Sequence, residues 1–364
     1  MKILICFGTR PEAIKMAPVI HELRKQNVGF KVCVTAQHRE MLDQVLDFFE
    51  LVPDHDLNLM QHNQTLNELS SRIFLEIDKV FKLENPELVL VQGDTTTAAI
   101  VAMAAFNNRI KIGHIEAGLR TYNNEPFPEE GNRQLISRIA DFHFAPTLKA
   151  MENLLNEQIL RDKIFCTGNT IVDALNWAKE KMIDGEESQE IQILRKKLCS
   201  TKKIILVTGH RRENFGKGLK DICGAIIELS KRNDVEIIYP IHPNTNVSNP
   251  VTSYLENQTN INLTNPLSYS TILWIMQKSS LIITDSGGIQ EEAPTFKKPV
   301  LVTRNFSERT EGVEAGFCKL TGTNKERIVK EAEFWLDYPP DFSQIKNPYG
   351  DGTAAKKIVS IVTE

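Results

Sequence analysis

Two carboxylates stand just past apolar runs that read as buried strands, and a third lies in an irregular loop before a helix. Asp94 follows 88–92 in Gln92-Gly93-Asp94-Thr95-Thr96-Thr97. Glu116 ends the run 111–115 in His114-Ile115-Glu116-Ala117-Gly118-Leu119-Arg120. Glu130 lies in Phe127-Pro128-Glu129-Glu130-Gly131-Asn132-Arg133, ahead of a helix. Singly, each has an ordinary explanation: Asp94 would cap a helix, and a loop glutamate would be solvated surface. Together they supply what removing a proton and returning it requires, more than one carboxylate at the reacting carbon. A second constellation is Asp285-Ser286-Gly287-Gly288, which turns from the apolar run 281–284 into a helix beginning near Ile289. Two glycines and a serine there leave backbone N–H groups at a helix N-terminus, a ready anion site. Glu291 and Glu292 follow within reach of a diol such as a ribose. Phosphate plus ribose is a nucleotide; a capped helix whose glycines merely permit a tight turn is the plainer alternative.

Cations gather at other strand ends. After the first strand, Thr9 and Glu12 fit a capping box with Pro11 in the first turn, and Arg10 and Lys15 then sit where positive charge needs an anion beside it. His210, in Gly209-His210-Arg211-Arg212-Glu213-Asn214, ends a strand next to two arginines, a pattern suited to a pyrophosphate. Arg304 and Arg309 follow another strand. Pro266-Leu267 precedes a helix carrying Trp274 and could wall a nucleobase. His242 stays open between rim contact and packing, and Gln37-His38-Arg39 between binding and a solvated loop. Asp54-His55-Asp56 follows no strand pattern and reads as loop, not as a metal motif.

The elements that must position these residues alternate along the chain. Strand-like runs fall at 3–7, 31–35, 88–92, 111–115, 142–145 and 164–167, then at 203–208, 236–241, 261–263, 281–284, 300–303 and 318–321. Amphipathic stretches such as 66–81 and 218–231 lie between. That alternation predicts an α/β protein with parallel sheets covered on both faces. Two successive sets predict two doubly wound, Rossmann-like domains facing across a cleft, with ligands beyond the carboxyl ends of the strands. The polar segment 184–201 marks the boundary: residues 1–184 form the first domain, 185–352 the second, and a final helix in 353–364 packs back on the first.

Composition narrows the function. At 364 residues, two domains fit better than one core, and 41% apolar with 25% charged residues is ordinary for a globular protein. A net charge of -4 leaves no footprint for nucleic acid or an anionic membrane. The six cysteines include no C-x-x-C pair, which favours a reducing compartment with buried thiols over disulfides or zinc. With no signal-peptide core and no membrane-length apolar run, a cytoplasmic location is expected. G-x-G-x-x-G after a strand, a P-loop, zinc spacings and G-x-S-x-G are all absent from the sequence.

With these residues set out, the chain resembles the non-hydrolysing UDP-N-acetylglucosamine 2-epimerases over essentially its whole length. The motifs are G-T-R-P-E-A-I-K-M-A-P at 8–18, T-A-Q-H-R-E-M-L-D at 35–43, Q-G-D-T-T-T at 92–97 and H-I-E-A-G-L-R at 114–120. P-E-E-G-N-R at 128–133, G-H-R-R-E-N at 209–214, D-S-G-G-I-Q-E-E at 285–292 and N-P-Y-G-D-G at 347–352 complete them. The resemblance implies the GT-B fold, a UDP-sugar substrate, no cofactor, no metal, a homodimer, and supply of N-acetylmannosamine units to surface polysaccharide. Carried over by motif, Arg10, His210, Ser286, Gly287 and Gly288 would hold the pyrophosphate with Arg309 near it, and Glu292 the ribose. Lys15, Asp94, Glu116 and Glu130 would surround the sugar. Ile272 stands about where the family often has an aromatic near the uracil. Gln37, Arg72 and His242 are candidates for a second UDP-sugar site, since bacterial members are often activated by their substrate. Open alternatives are a hydrolysing 2-epimerase, a 2-epimerase of a UDP-diacetamido-uronic acid sugar, a GT-B glycosyltransferase and a non-catalytic nucleotide-sugar sensor.

Overall fold

The computed structural model describes residues 2–36, 39–61, 64–185, 187–209 and 211–364. The chain divides into two compact units, Met1–Trp177 with Tyr349–Glu364, and Ala178–Pro348. The first holds a seven-stranded sheet of Ile3–Phe7 (β1), Phe30–Val34 (β2), His55–Asp56 (β3), Leu88–Gln92 (β4), Lys111–Ile115 (β5), Phe142–Ala145 (β6) and Ile164–Cys166 (β7). Its order is β3-β2-β1-β4-β5-β6-β7, and every pairing is parallel. β1 and β4 are buried at every residue, as strands covered on both faces must be. One packing layer puts Ile73, Ile77 and Phe81 of helix Leu66–Glu84 against Val101 and Ala105 of helix Thr96–Asn107 and against Val89 and Val91 of β4.

The second unit repeats the plan with six strands: Lys203–Thr208 (β8), Val235–Pro240 (β9), Ile261–Thr264 (β10), Leu281–Thr284 (β11), Val300–Val302 (β12) and Cys318–Leu320 (β13). Their order is β10-β9-β8-β11-β12-β13, again all parallel. Each sheet therefore reverses direction once, between β1 and β4 in one unit and between β8 and β11 in the other. Ligands of doubly wound sheets bind at such a reversal.

Helix Ala354–Thr363 packs on helix Arg10–Lys25 of the first unit. The Asp173 carboxylate accepts the N–H of Ala354 and Ala355 at 3.2 and 3.0 Å, satisfying donors the helix start leaves bare. The stretch 184–201 contains helix Gln189–Lys197, which buries Ile191 and Leu194 in the second unit.

Two expectations need correcting. Asp54-His55-Asp56 is not all loop: His55–Asp56 pairs with Cys33 and Val34 as a short edge strand. No apolar pattern announces it, because backbone pairing and a 2.8 Å contact from His55 Nε2 to Glu84 hold it in place of side-chain burial. The cysteines are all free thiols, but Cys166 and Cys199 are exposed. No helix among the described residues is long and apolar enough to cross a membrane.

Candidate active site

In the first unit the candidate residues lie past the carboxyl ends of β1, β4 and β5, around the point where the strand order reverses. Lys15, on the second turn of helix Arg10–Lys25, makes a buried ion pair with Glu116. A side-chain ammonium this far from solvent needs such a partner. Glu116 itself has φ 69°, a left-handed conformation that costs a non-glycine residue of order 1 kcal/mol and is characteristic of functional sites. The β5 strand end is also braced from within. His114 Nε2 contacts the Gly93 carbonyl at 2.7 Å, and burial pushes the imidazole down to about 4, so it is neutral and donates this bond. That bond fixes the residue preceding Asp94.

Asp94 and Glu130 meet through a residue that the sequence reading did not single out. The Arg133 guanidinium donates through Nε to Asp94 Oδ2 at 2.8 Å and through Nη1 to Glu130 Oε2 at 2.8 Å. Its side chain is almost wholly buried, as is that of Glu130, while Asp94 retains some exposure. Asn132 adds a 2.8 Å bond from Nδ2 to the Asp94 carbonyl. Glu130 also accepts the N–H groups of Thr121 and Tyr122 and the Gln134 amide. Burial works to raise the Glu130 pKa, but these donors and the Arg133 charge outweigh it and hold the carboxyl below its ordinary value. Glu130 and Arg133 are i and i+3 on helix Glu129–Ile139, spacing that puts both on one face. Arg120 turns elsewhere, into a bidentate pair with Glu157 at 2.6 and 2.9 Å. Arg10 opens its helix half-buried.

In the second unit, Ser286 precedes helix Gly287–Glu292 at the end of β11. That helix is only six residues long and runs on into the 3-10 turn Ala293–Phe296, so its dipole is slighter than the sequence implied. The Ser286 N–H is also spoken for, donating to Thr284 Oγ1 at 2.9 Å. The cation at this turn is Arg309. A Cβ on Gly287 would stand 2.7 Å from Arg309 Cζ, so the glycine lets the guanidinium lie against the backbone. Glu291 takes Arg309 Nε at 2.8 Å and Glu308 takes its Nη1, and Glu292, next along the helix, is buried as well.

Beneath the turn, Asp285 Oδ2 accepts Arg211 N–H at 3.0 Å and Asn214 Nδ2 at 3.1 Å, spanning the ends of β8 and β11. Arg304 pairs with Glu213 and Glu308. Leu267 and Trp274 sit in the apolar layer with Ile289 and Phe317, and Arg195 lies 5.7 Å over the Trp274 ring. His242 is half-buried, accepts Asn244 N–H through Nδ1, and has its pKa lowered by burial. Arg72 is in the first unit, bonded to Gln64. His210 and Gln37 lie outside the described residues. Among the described residues, no cluster of His, Cys, Asp or Glu has the grouping to hold a metal.

A sequence model of UDP-N-acetylglucosamine 2-epimerases matches residues 21–363. The chain belongs to that family. The UDP-N-acetylglucosamine 2-epimerase of Campylobacter jejuni is 50% identical over 99% of this chain and 97% of its own length. That of Escherichia coli K12 is 47% identical over the same shares. Among solved structures, the Neisseria meningitidis UDP-GlcNAc 2-epimerase bound to UDP-GlcNAc superposes with TM-score 0.95 at 47% identity, covering both chains completely. The Methanocaldococcus jannaschii enzyme, in complex with UDP-GlcNAc and UDP, gives 0.88 at 36% identity over 100% of this chain and 99% of that one. Family membership makes this chain an isomerase, and the α/β architecture with two parallel sheets is that of these GT-B neighbours.

Proposed function

We propose that the chain reversibly inverts C2 of UDP-N-acetylglucosamine, giving UDP-N-acetylmannosamine, by eliminating UDP to a glycal and adding it back. C2 has no neighbouring carbonyl, so its hydrogen is not acidic enough for simple deprotonation. Elimination avoids that. As a carboxylate takes the C2 proton, the C–H electrons form the C1–C2 double bond and the C1–O bond breaks toward UDP. A proton then reaches the other face of C2 while a UDP oxygen re-forms the bond to C1. The observation that carries the reading is the Asp94–Arg133–Glu130 bridge beside the Lys15–Glu116 pair. Proton removal and return need carboxylates on opposite faces, and three are fixed here at the reversal of one sheet. Glu130, held ionised by its donors, suits the accepting role.

The leaving diphosphate requires preorganised donors, a part suited to the Gly287 and Gly288 amides and to Arg309, with Arg10 and His210 as further donors and Glu292 on the ribose. The relatives solved with UDP-GlcNAc and UDP support that ligand class. A homodimer and activation by substrate through Gln37, Arg72 and His242 belong to the same proposal; light scattering and the shape of the rate curve read them.

The test is proton NMR of UDP-N-acetylglucosamine with the protein in heavy water. Deuterium at C2 and growth of the manno signal, without free sugar, are expected. Accumulation of UDP and free N-acetylmannosamine would make it a hydrolysing enzyme, and turnover only of a diacetamido-uronic acid sugar would move the substrate.

A further inference from the structure

Glu12 takes no part in the steps above, yet it is 1% exposed and tied to both sides of the reversal in the first sheet. Its Oε2 accepts the N–H groups of Gly8 and Thr9 at 3.0 and 2.8 Å and the Thr9 hydroxyl at 2.8 Å. Its Oε1 reaches the Thr95 hydroxyl, 83 residues along the chain, at 2.7 Å. Thr95 in turn accepts the Ala98 N–H at 3.0 Å as the N-cap of helix Thr96–Asn107. We propose that Glu12 is a positioning residue whose carboxylate locks the turn bearing Arg10 to the turn bearing Asp94, so that Asp94 meets the sugar in register; this rests on the function proposed above.

A capping role alone does not account for this. The same chain has a second capping box, Thr65 with Glu68, where the glutamate is exposed and bonds only within its own turn. Burying a carboxylate is costly unless it is hydrogen-bonded or paired, and one of the bonds that offset the cost here comes from Thr95, outside the helix start. Every partner of fixed polarity around Glu12 is a donor, and the Thr95 hydroxyl, already accepting from Ala98, has its proton free to give. The second unit has a counterpart in Asp285, which spans the ends of β8 and β11. In both sheets a buried carboxylate stitches the crevice at the reversal, where loops from separate strands must keep a fixed spacing.

The experiment compares Glu12→Gln, Thr95→Val, their combination and Thr95→Ser in the full chain, reading kcat and KM for UDP-N-acetylglucosamine and the affinity for UDP. Glutamine brings an N–H₂ to a site filled with donors, and valine removes the hydroxyl. Each is expected to lower kcat on the order of 10- to 100-fold, the scale of small misplacements of a catalytic group, with KM and UDP affinity little changed. The double variant should lose no more than the worse single one, because both break the same link. Thr95→Ser, which keeps the hydroxyl, should restore kcat. Losses that multiply, or normal kcat with only a lowered melting temperature, would overturn the proposal. Should Glu12→Gln fail to fold, the contrast between Thr95→Val and Thr95→Ser decides alone: equal kcat in the two defeats it. Wild-type protein that exchanges no C2 hydrogen sinks the parent reading as well, whereas exchange with unlinked variants sinks this one only.

Discussion

Arg133 is the residue on which the carboxylate cluster turns. It bridges Asp94 and Glu130 while almost fully buried, so removing it leaves two carboxylates facing each other without a counter-charge. Arg133→Gln should cut kcat at least about 100-fold and move the acid limb of the pH–rate profile to higher pH, since a carboxylate beside a like charge holds its proton longer. An unmoved acid limb in a folded variant would count against the bridge. Sequence reading found Asp94 and Glu116 by their strand-end positions and Glu130 by its place in a loop before a helix, but passed over Arg133. The i, i+3 spacing to Glu130 was the signal available; the link to Asp94, 39 residues away, was not.

Buried titrating groups make a separate prediction at this scale. Burial lowers His114 to about 4 and His143 to about 3, so both are neutral in the folded chain and charged in the unfolded one below about 6.5. Their stability contribution is present above that value and lost as pH falls toward 4. Burial raises Glu12 to about 7, its hydrogen bonds to Thr95, Thr9 and Gly8 pulling the other way. Between its unfolded value of about 4.5 and 7 the folded state holds the extra proton, so Glu12 adds stability as pH falls. The two effects oppose each other across that window. Urea titrations from pH 7 to 4.5 should show Glu12→Gln losing stability more steeply than wild type; a parallel or shallower slope would contradict the assignment.

At the scale of elements, two glycines make opposite predictions. A methyl at Gly8 would come 2.1 Å from Thr35 Oγ1 and 2.6 Å from Thr97 Oγ1, which are hydrogen-bonded to each other inside the sheet edge. Gly8→Ala should destabilise by about 1–3 kcal/mol, read by urea unfolding. A methyl at Gly287 meets the end of a long side chain instead, so Gly287→Ala should melt within a few degrees of wild type and lose about tenfold, or 1.4 kcal/mol, in UDP affinity as Arg309 is pushed aside. Strands and helices were largely legible because fully buried parallel strands are continuous apolar runs: β1, β4 and β11 fall where the pattern puts them, and so do the less completely buried β5 and β8. His55–Asp56 was not, since two edge residues held by backbone pairing carry no period. The brevity of helix Gly287–Glu292 was hidden too, because Ala293-Pro294 tightens the chain into a 3-10 turn without interrupting the apolar pattern.

Over the whole molecule, two sheets of matching strand order each present their residues at one reversal, the carboxylates in one unit and the glycine turn with Arg309 in the other. That division of labour predicts a division of phenotypes. UDP at 100 times its Kd should stabilise wild type by about 2.7 kcal/mol, seen as a raised melting temperature. Asp94→Asn and Glu130→Gln should keep that rise while losing turnover, and Gly287→Ala should diminish it. The doubly wound plan was readable from alternation alone, whereas the exposure of Cys166 and Cys199 was not, because strand-end and linker thiols share the local sequence of buried ones.

On the proposed mechanism, the bond between C1 and the diphosphate oxygen breaks and re-forms in each cycle. UDP-N-acetylglucosamine carrying ¹⁸O in that bridging position tests it most directly. The account predicts that the label scrambles into the non-bridging β-phosphate oxygens during epimerisation, followed by phosphorus NMR. Complete inversion at C2 with the label still bridging would contradict it.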